Sequence, residues 1–170
     1  DPARLLREIS ADVFTLNDGY EKVVIAKAKF YSADIEGALS EGMTPYSLLD
    51  IYSETFAFLD PFYGSDGQEI KDSVLDKLGC KGFNTDNLFI VAQLEVLPGY
   101  RKQGLSEIMI NDAVRIFSGD ADIIALLPFP LQNADELALV QHKAWYDQMD
   151  LKSLPSDENA TEKLKSFYET

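Results

Sequence analysis

One stretch, residues 87–117, constrains the fold most, because it combines a buried strand, a short loop and an amphipathic helix. The segment from Leu88 to Leu97 is apolar except for two polar residues, as in a central strand, and Pro98 and Gly99 end it. From Leu105 onward, apolar residues recur at helical spacing. This predicted apolar face consists of Leu105, Ile108, Met109, Ala113, Ile116 and Phe117.

The loop between this strand and this helix, residues 101–106, has the features of an anion site. It lies at a helix N-terminus, where unpaired backbone N–H groups and the positive end of the helix dipole attract anions. Gly104 lets the backbone approach a ligand closely, and Arg101 and Lys102 add two positive charges. The loop therefore predicts a phosphate or pyrophosphate site.

One alternative for this loop is the phosphate loop of nucleotide hydrolases, G-x-x-x-x-G-K-[ST]. Gly99, Gly104 and Ser106 match that pattern, but Leu105 occupies the position of the lysine that contacts the terminal phosphates. A nucleotide-binding protein therefore remains one hypothesis. A simple strand-to-helix turn with an incidental Arg-Lys pair is another.

The order of strand, proline, arginine, glycine and helix resembles a bacterial-type member of the GCN5-related N-acetyltransferase (GNAT) superfamily. The acyl-CoA pyrophosphate loop of that family is [RQ]-x-x-G-x-[GA], and the segment RKQGLS, residues 101–106, is similar to it, with Ser106 in the final small position. The preceding segment LEVLPGYR, residues 94–101, resembles the family pattern L-x-V-x-P-x-x-R.

The resemblance implies an α/β (α+β) fold, with a mixed central sheet flanked by helices. In that fold the central strand and the next strand diverge, and the pantetheine arm of acetyl-CoA lies between them against exposed main-chain groups. A bulge in the central strand is one way to expose those groups. The implied main-chain positions are Leu94, Glu95 and Val96. The implied pyrophosphate-binding residues are Arg101, Lys102, Gln103, Gly104, Leu105, Ser106 and Glu107.

A second resemblance concerns the segment AWYDQMDL, residues 144–151, and the family ending A-x-x-x-Y-E-K-x-G-F. Asp150 stands where glycine is usual, and Leu151 stands where phenylalanine is usual. Tyr146 is in register with the tyrosine that protonates the departing CoA thiolate in many members. A hydroxyl with an ordinary pKa of about 10 suits this role. The alternative for Tyr146 is an aromatic core residue beside Trp145.

Glu95 is the candidate general base, which is needed if the amine arrives protonated. Its alternative is a carboxylate that faces solvent or pairs with a cation. His142, one helical turn before Tyr146, could assist the base, although a structural histidine is the alternative. Cys80 is predicted to be a thiol without a catalytic role. With a single histidine and a single cysteine, the sequence predicts no metal site.

The reaction implied by the resemblance moves an acetyl group from acetyl-CoA to a primary amine by direct attack in a ternary complex. The acceptor would be a small-molecule or peptide amine, and the family resemblance alone suggests a homodimer. The alternative from another class is a non-catalytic acyl-CoA-binding or protein-interaction module on the same fold.

The chain of 170 residues is predicted to form one domain, with a helical insertion at about residues 44–79 before the central strand. Strands at 12–16 and 21–31 form a hairpin around the turn Asn17-Asp18-Gly19. Residues 123–127 (IIALL) predict a strand inside the sheet, parallel to the central strand.

Helices are predicted in the insertion and at both ends of the chain. Thr44 and Pro45 should start a helix that continues to Leu59 and is ended by Asp60-Pro61. A second should span 68–78 and end at Gly79. The further predictions are a helix within residues 1–10, an irregular segment at 32–43, a helix starting at Asn133 or Asp135, a short strand at 151–154, and either a helix or a strand at 161–168.

The charge of the chain limits its partners. Twenty-nine acidic residues stand against 15 basic ones, a formal net charge of −14, which argues against a nucleic-acid surface or an anionic-membrane surface. No run of about 18 apolar residues predicts a membrane span. The single cysteine fits a reducing cytoplasm, where we expect the protein to act.

Overall fold

The computed structural model describes residues 2–64, 67, 69–82, 85–119, 121–128, 130–133, 143–154 and 158–168. They form an α+β fold, a mixed four-stranded sheet flanked by helices. The strands are β1 (Leu6–Leu16), β2 (Lys22–Ala33), β3 (Leu88–Val96) and β4 (Ile123–Leu126). The helices are α1 (Pro2–Leu5), α2 (Ile35–Ser40), α3 (Pro45–Leu49), α4 (Ser53–Phe56), α5 (Leu59–Phe62), α6 (Asp72–Leu78), α7 (Leu105–Phe117), α8 (Lys143–Met149) and α9 (Glu158–Tyr168).

The strands are ordered β1-β2-β3-β4. β1 and β2 pair antiparallel, as do β2 and β3, whereas β3 and β4 pair parallel. The predicted hairpin and the predicted parallel neighbour of the central strand are both confirmed. The prediction that residues 123–127 lie inside the sheet was wrong. Among the described residues, β4 is an edge strand of the sheet, and Ile124 is 53% exposed.

The hairpin turn is held by the side chain of Asn17. Its Oδ1 accepts hydrogen bonds of 2.9 Å from the backbone N–H groups of Gly19 and Glu21. Tyr20, rather than Gly19, takes the left-handed conformation, with φ of 61°. The turn was therefore predicted at the correct residues, but the expectation that Asn17, Asp18 or Gly19 would take a positive φ was wrong, because the Asn17 side chain fixes the loop instead.

The two faces of the sheet carry different layers. The insertion face, defined by the β3 side chains Leu88 and Ile90, packs against α2, α3 and α5. The α7 face, defined by Phe89 and Val91, packs against α7. The apolar residues that share the insertion-face core with β3 include Tyr31, Ile35, Leu48, Leu49, Phe58, Leu59 and Tyr63.

Helix α7 docks on a different stripe from the one predicted. Met109 and Ala113 are buried as expected, but Ile108 and Ile116 are 54% and 58% exposed. Ile110 and Val114 pack against the sheet together with the buried pair. Apolar residues cover more than half of the helix circumference, so their spacing alone does not determine which side faces the sheet.

The insertion begins as predicted, with Thr44 as N-cap and Pro45 in the first turn, but α3 ends after one turn. The predicted continuous helix to residue 59 is instead three short helices, because Tyr52 adopts an extended conformation with φ of −124° and ψ of 141°. Thr55 is fully buried at this break, and its hydroxyl donates to the carbonyl oxygen of Leu49 at 2.6 Å. Pro61 lies inside the third short helix rather than ending it.

Several other elements differ from the sequence expectations. The predicted helix at residues 1–10 is limited to α1, and β1 begins at Leu6. Asp34 caps α2 by accepting a 2.8 Å bond from the N–H of Gly37, so residues 32–43 are not irregular. Residues 151–153 form a 3₁₀ turn rather than a strand, and the last segment is the helix α9.

One helix prediction was correct only at its end, and the start of another is untested. Helix α6 starts at Asp72 rather than at residue 68 and ends, as predicted, at Gly79, whose φ is 67°. The predicted start at Asn133 or Asp135 leads into residues 134–142, which lie outside the described residues. In the part of the chain that is described, no helix is both long and apolar enough to cross a membrane.

The break in the insertion gives a stability prediction. Thr55→Val should lower the free energy of unfolding by about 1–3 kcal/mol, because it leaves the buried carbonyl oxygen of Leu49 without its donor. Thr55→Ser keeps the hydroxyl and should lose less. Urea denaturation of both variants measures the difference. A Val variant as stable as the Ser variant would show that this hydrogen bond does not stabilise the break.

Candidate active site at the end of β3

The site begins where β3 and β4 stop pairing. Their last paired residues are Val91 and Leu126, whereas β3 continues to Val96. At the same place β3 contains a bulge, because Lys29 of β2 pairs with Gln93 and the next β2 residue pairs with Val91. Ala92 is therefore the extra residue, and the bulge that the family resemblance suggested is present.

The main chain of β3 beyond the bulge is partly free for a ligand. The N–H of Leu97 donates to Ile25 of β2 at 2.9 Å, so by the alternation of strand hydrogen bonds the main-chain groups of Leu94 and Val96 point away from β2. The carbonyl of Val96 accepts a 3.0 Å bond from Nε of Arg101. Two of the three predicted main-chain positions, Leu94 and Val96, thus face the gap that opens after β4, whereas the main chain of Glu95 faces β2 opposite Lys27.

The bulge also brings Glu95 into a buried hydrogen-bonded cluster. Glu95 is only 5% exposed, so the alternative of a solvent-facing carboxylate is wrong. Trp145 Nε1 donates to its Oε2 at 2.7 Å, and Gln93 Nε2 donates to its Oε1 at 2.5 Å. The same Gln93 nitrogen donates to the hydroxyl of Tyr146 at 3.0 Å. The two predicted catalytic residues are therefore joined through Gln93.

Tyr146 is half-buried, and its surroundings disfavour the phenolate. Burial, followed by the hydrogen bond to Glu95 and the negative charge of Glu95, raises the pKa of Tyr146 to about 12, although Gln93 opposes this shift. Tyr146 therefore remains protonated throughout the neutral pH range and ionises only in strong alkali. This pKa is higher than the ordinary value of about 10 on which the sequence prediction relied, so Tyr146 is a weaker acid than predicted.

Arg101 links the loop to the rest of the site. Besides the bond to Val96, its Nη2 donates to the carbonyl oxygen of Met149 at 2.5 Å. Met149 is the last residue of α8, where carbonyl groups lack helical partners and a cation is favourable. The side chain of Arg101 therefore fixes β3, the loop and α8 relative to one another.

The predicted anion loop has the expected local geometry. Gly104 is the N-cap of α7 with φ of 76° and no side-chain cap, and a Cβ at this position would meet nothing within 4 Å. The first helical bond runs from the N–H of Ile108 to Gly104 at 3.0 Å, which leaves the N–H groups of residues 105–107 without helical partners. Lys102 is exposed beside them, and Glu107 is the acidic residue of the first turn.

Two lysines of β2 complete the insertion face of the site, and sequence reasoning did not select them. Lys29 forms a 3.1 Å salt bridge with Glu54 of α4. The ammonium group of Lys27 lies 4.5 Å from the centroid of the Trp145 ring. The sequence feature that could have identified these two lysines is their alternation with alanines in a mostly apolar strand. Gln93 gave a similar signal as a polar residue within the central strand.

Other candidates of the sequence lie elsewhere. His142 falls outside the described residues. Cys80 is half-buried, and its Sγ lies 3.8 Å from the carbonyl oxygen of Leu75. Across the described residues, no group of three or more His, Cys, Asp or Glu side chains could hold a metal ion.

Asp150, where the family usually has glycine, follows α8 in the left-handed conformation, with φ of 47° and ψ of 45°. We predict that Asp150→Gly raises the free energy of unfolding by up to about 1 kcal/mol, because glycine adopts this conformation without steric cost. Asp150→Ala is the control and should be less stable than the wild type. Thermal denaturation should rank Gly above Asp above Ala, and any other order would contradict this explanation.

We compared the chain with protein-family models, with curated proteins and with solved structures, and none of them matches it.

Proposed function

We propose that this protein is an acyl-CoA-dependent N-acetyltransferase of the GNAT type. It would move an acetyl group from acetyl-CoA to a primary amine by direct attack in a ternary complex. The observation that carries the proposal is the convergence of three features at one end of β3. These are the gap after the last β3–β4 pair, the uncapped N-terminus of α7, and the cluster of Glu95 and Tyr146.

The first step of the proposed reaction is binding of acetyl-CoA. Its pyrophosphate would accept hydrogen bonds from the N–H groups at the start of α7, where the helix dipole and Lys102 favour negative charge. The pantetheine arm would lie along the free side of β3 at Leu94 and Val96. The N–H of Val96 would then polarise the thioester carbonyl and stabilise the oxyanion that forms on attack.

The second step is the transfer itself. The neutral amine attacks the thioester carbonyl, a C–N bond forms, and the C–S bond breaks as the tetrahedral intermediate collapses. Tyr146 is the proposed donor of a proton to the departing thiolate. Glu95 is the proposed acceptor of the proton that the arriving ammonium group loses before attack, and the nitrogen releases its second proton to solvent as the amide forms. Gln93 donates to both residues and holds them side by side, which supports the return of the proton to Tyr146 after each turnover.

The anion loop gives a test of the binding step. Gly104→Asp should weaken CoA binding at least tenfold, because its carboxylate would stand beside the pyrophosphate. Gly104→Asn is the matched control, since it has nearly the same shape and tolerance of positive φ but no charge. Isothermal titration with CoA measures both variants. Equal affinities for the Asp and Asn variants would place the pyrophosphate elsewhere.

Tyr146 gives a test of the chemical step. Tyr146→Phe should lower kcat about a hundredfold, the usual size of a general-acid contribution, with little change in CoA affinity. Tyr20→Phe, which removes a hydroxyl from the exposed hairpin turn, is the control and should retain wild-type turnover. Release of free CoA thiol measures turnover. An unchanged kcat in the Phe variant would remove Tyr146 from the chemistry.

The alternatives predict different outcomes for the same protein. A non-catalytic acyl-CoA-binding module would be stabilised by acetyl-CoA in thermal melting but would release no CoA with any amine. A nucleotide-binding protein would be stabilised by ATP with Mg²⁺ and not by CoA. At a ligand concentration of 100 times Kd, binding to the native state adds about 2.7 kcal/mol of stability, which makes the three cases distinguishable.

A further inference from the structure

Two opposite charges flank the same indole ring on the insertion face of the candidate site. The carboxylate of Glu95 accepts a hydrogen bond from the ring N–H of Trp145, and the ammonium group of Lys27 lies over the face of that ring. Lys27 and Glu95 are also directly opposite each other in the pairing of β2 with β3, so their side chains leave the sheet on the same face.

The two charges are not neutralised by each other. Lys27 forms no salt bridge with any residue that the structure describes, including Glu95 and its β1 neighbour Asp12. Lys29, two residues further along β2, differs because it is paired with Glu54. Lys27 therefore presents three ammonium donors beside the site, and the indole occupies only one side of this group.

Glu95 also has acceptor capacity that the described contacts do not use. A carboxylate accepts about four hydrogen bonds, and Trp145 and Gln93 supply two of them. A positively charged amine would satisfy a remaining position. The amine of an acceptor thus has a partner in Glu95, while Lys27 remains available for a negative group close to that amine.

From this arrangement we infer that the acceptor is an amine carrying a carboxylate on a neighbouring carbon, as in a free α-amino acid. Its ammonium group binds Glu95, and its carboxylate binds Lys27 above the ring of Trp145. This inference rests on the proposed function and narrows its acceptor. A polyamine or a simple alkylamine lacks the anion that Lys27 requires and would bring a second positive charge towards it.

Trp145 provides a direct measurement, because it is the only tryptophan of the chain and its emission reports on this site alone. The wild-type protein, with CoA present, is titrated with each standard amino acid other than tryptophan and with the methyl ester of each. We expect the emission to change with at least one amino acid and with its ester only at about tenfold higher concentration or above. No change with any amino acid overturns the inference.

Two matched variants test the role of Lys27. Lys27→Gln should raise the apparent Kd of that amino acid about tenfold and leave that of its methyl ester within about twofold. Lys22→Gln, which removes a lysine that lies over the Phe14 ring at the start of β2 and outside the site, should change neither value by more than about twofold. Equal effects of the two variants, or no effect of Lys27→Gln on the amino acid, would overturn the inference.

Turnover separates this inference from the proposed function. CoA release with the same amino acid should show a KM about tenfold higher in Lys27→Gln and a kcat within about threefold of the wild type. Acetyl transfer to simple amines, with no preference for the carboxylate, would overturn the inference and leave the acetyltransferase proposal standing. Amino acid binding without CoA release from any amine would overturn the acetyltransferase proposal and leave Glu95 and Lys27 as an amino-acid-binding site.

Discussion

The extra residue in β3, Ala92, determines how the rest of the site is arranged. Without it, strict alternation would place Leu94 and Val96 on the insertion face with Leu88 and Ile90, and Glu95 would point to the opposite side. With it, Gln93 and Glu95 lie on the insertion face, and Leu94 and Val96 pack with α7. The single extra residue therefore moves the polar pair, Gln93 and Glu95, to the insertion face and the apolar pair, Leu94 and Val96, to the α7 face.

This exchange requires a partner for the buried carboxylate, and α8 provides it. An unpaired carboxylate removed from water is strongly destabilising, so Glu95 can be buried only because Trp145 and Gln93 donate hydrogen bonds to it. The same contacts fix the position of α8 against β3. Arg101 adds a second connection from the loop to the end of α8. The candidate catalytic residues are thus held by contacts that also stabilise the fold.

The charges around the site do not follow the net charge of the chain. The formal net charge of −14 describes the molecule as a whole. Lys27 and Lys29 are carried on one interior strand of the sheet, and one of them is neutralised by Glu54. Overall charge therefore bears on large polyanionic partners, whereas the pairing of individual side chains determines which small ligand fits the site.

The sequence by itself determined the elements whose signals are local. The side chain of Asn17 fixes the hairpin turn, Gly79 ends a helix, and the run from β3 through Gly104 to α7 follows from its apolar pattern and its glycine. These depend on the conformational preferences of residues close in the chain, so they were predicted correctly.

Only the tertiary structure decided the features that depend on residues far apart in the chain. The break at Tyr52 depends on the burial of Thr55, and the stripe on which α7 docks depends on the sheet beneath it. The bulge in β3 and the contact of Lys27 with Trp145 involve strands and helices separated by many residues. The local sequence pattern can identify Glu95 and Tyr146 as candidates. Their burial and hydrogen bonds arise from packing between elements that are far apart in the chain, which a local pattern does not predict.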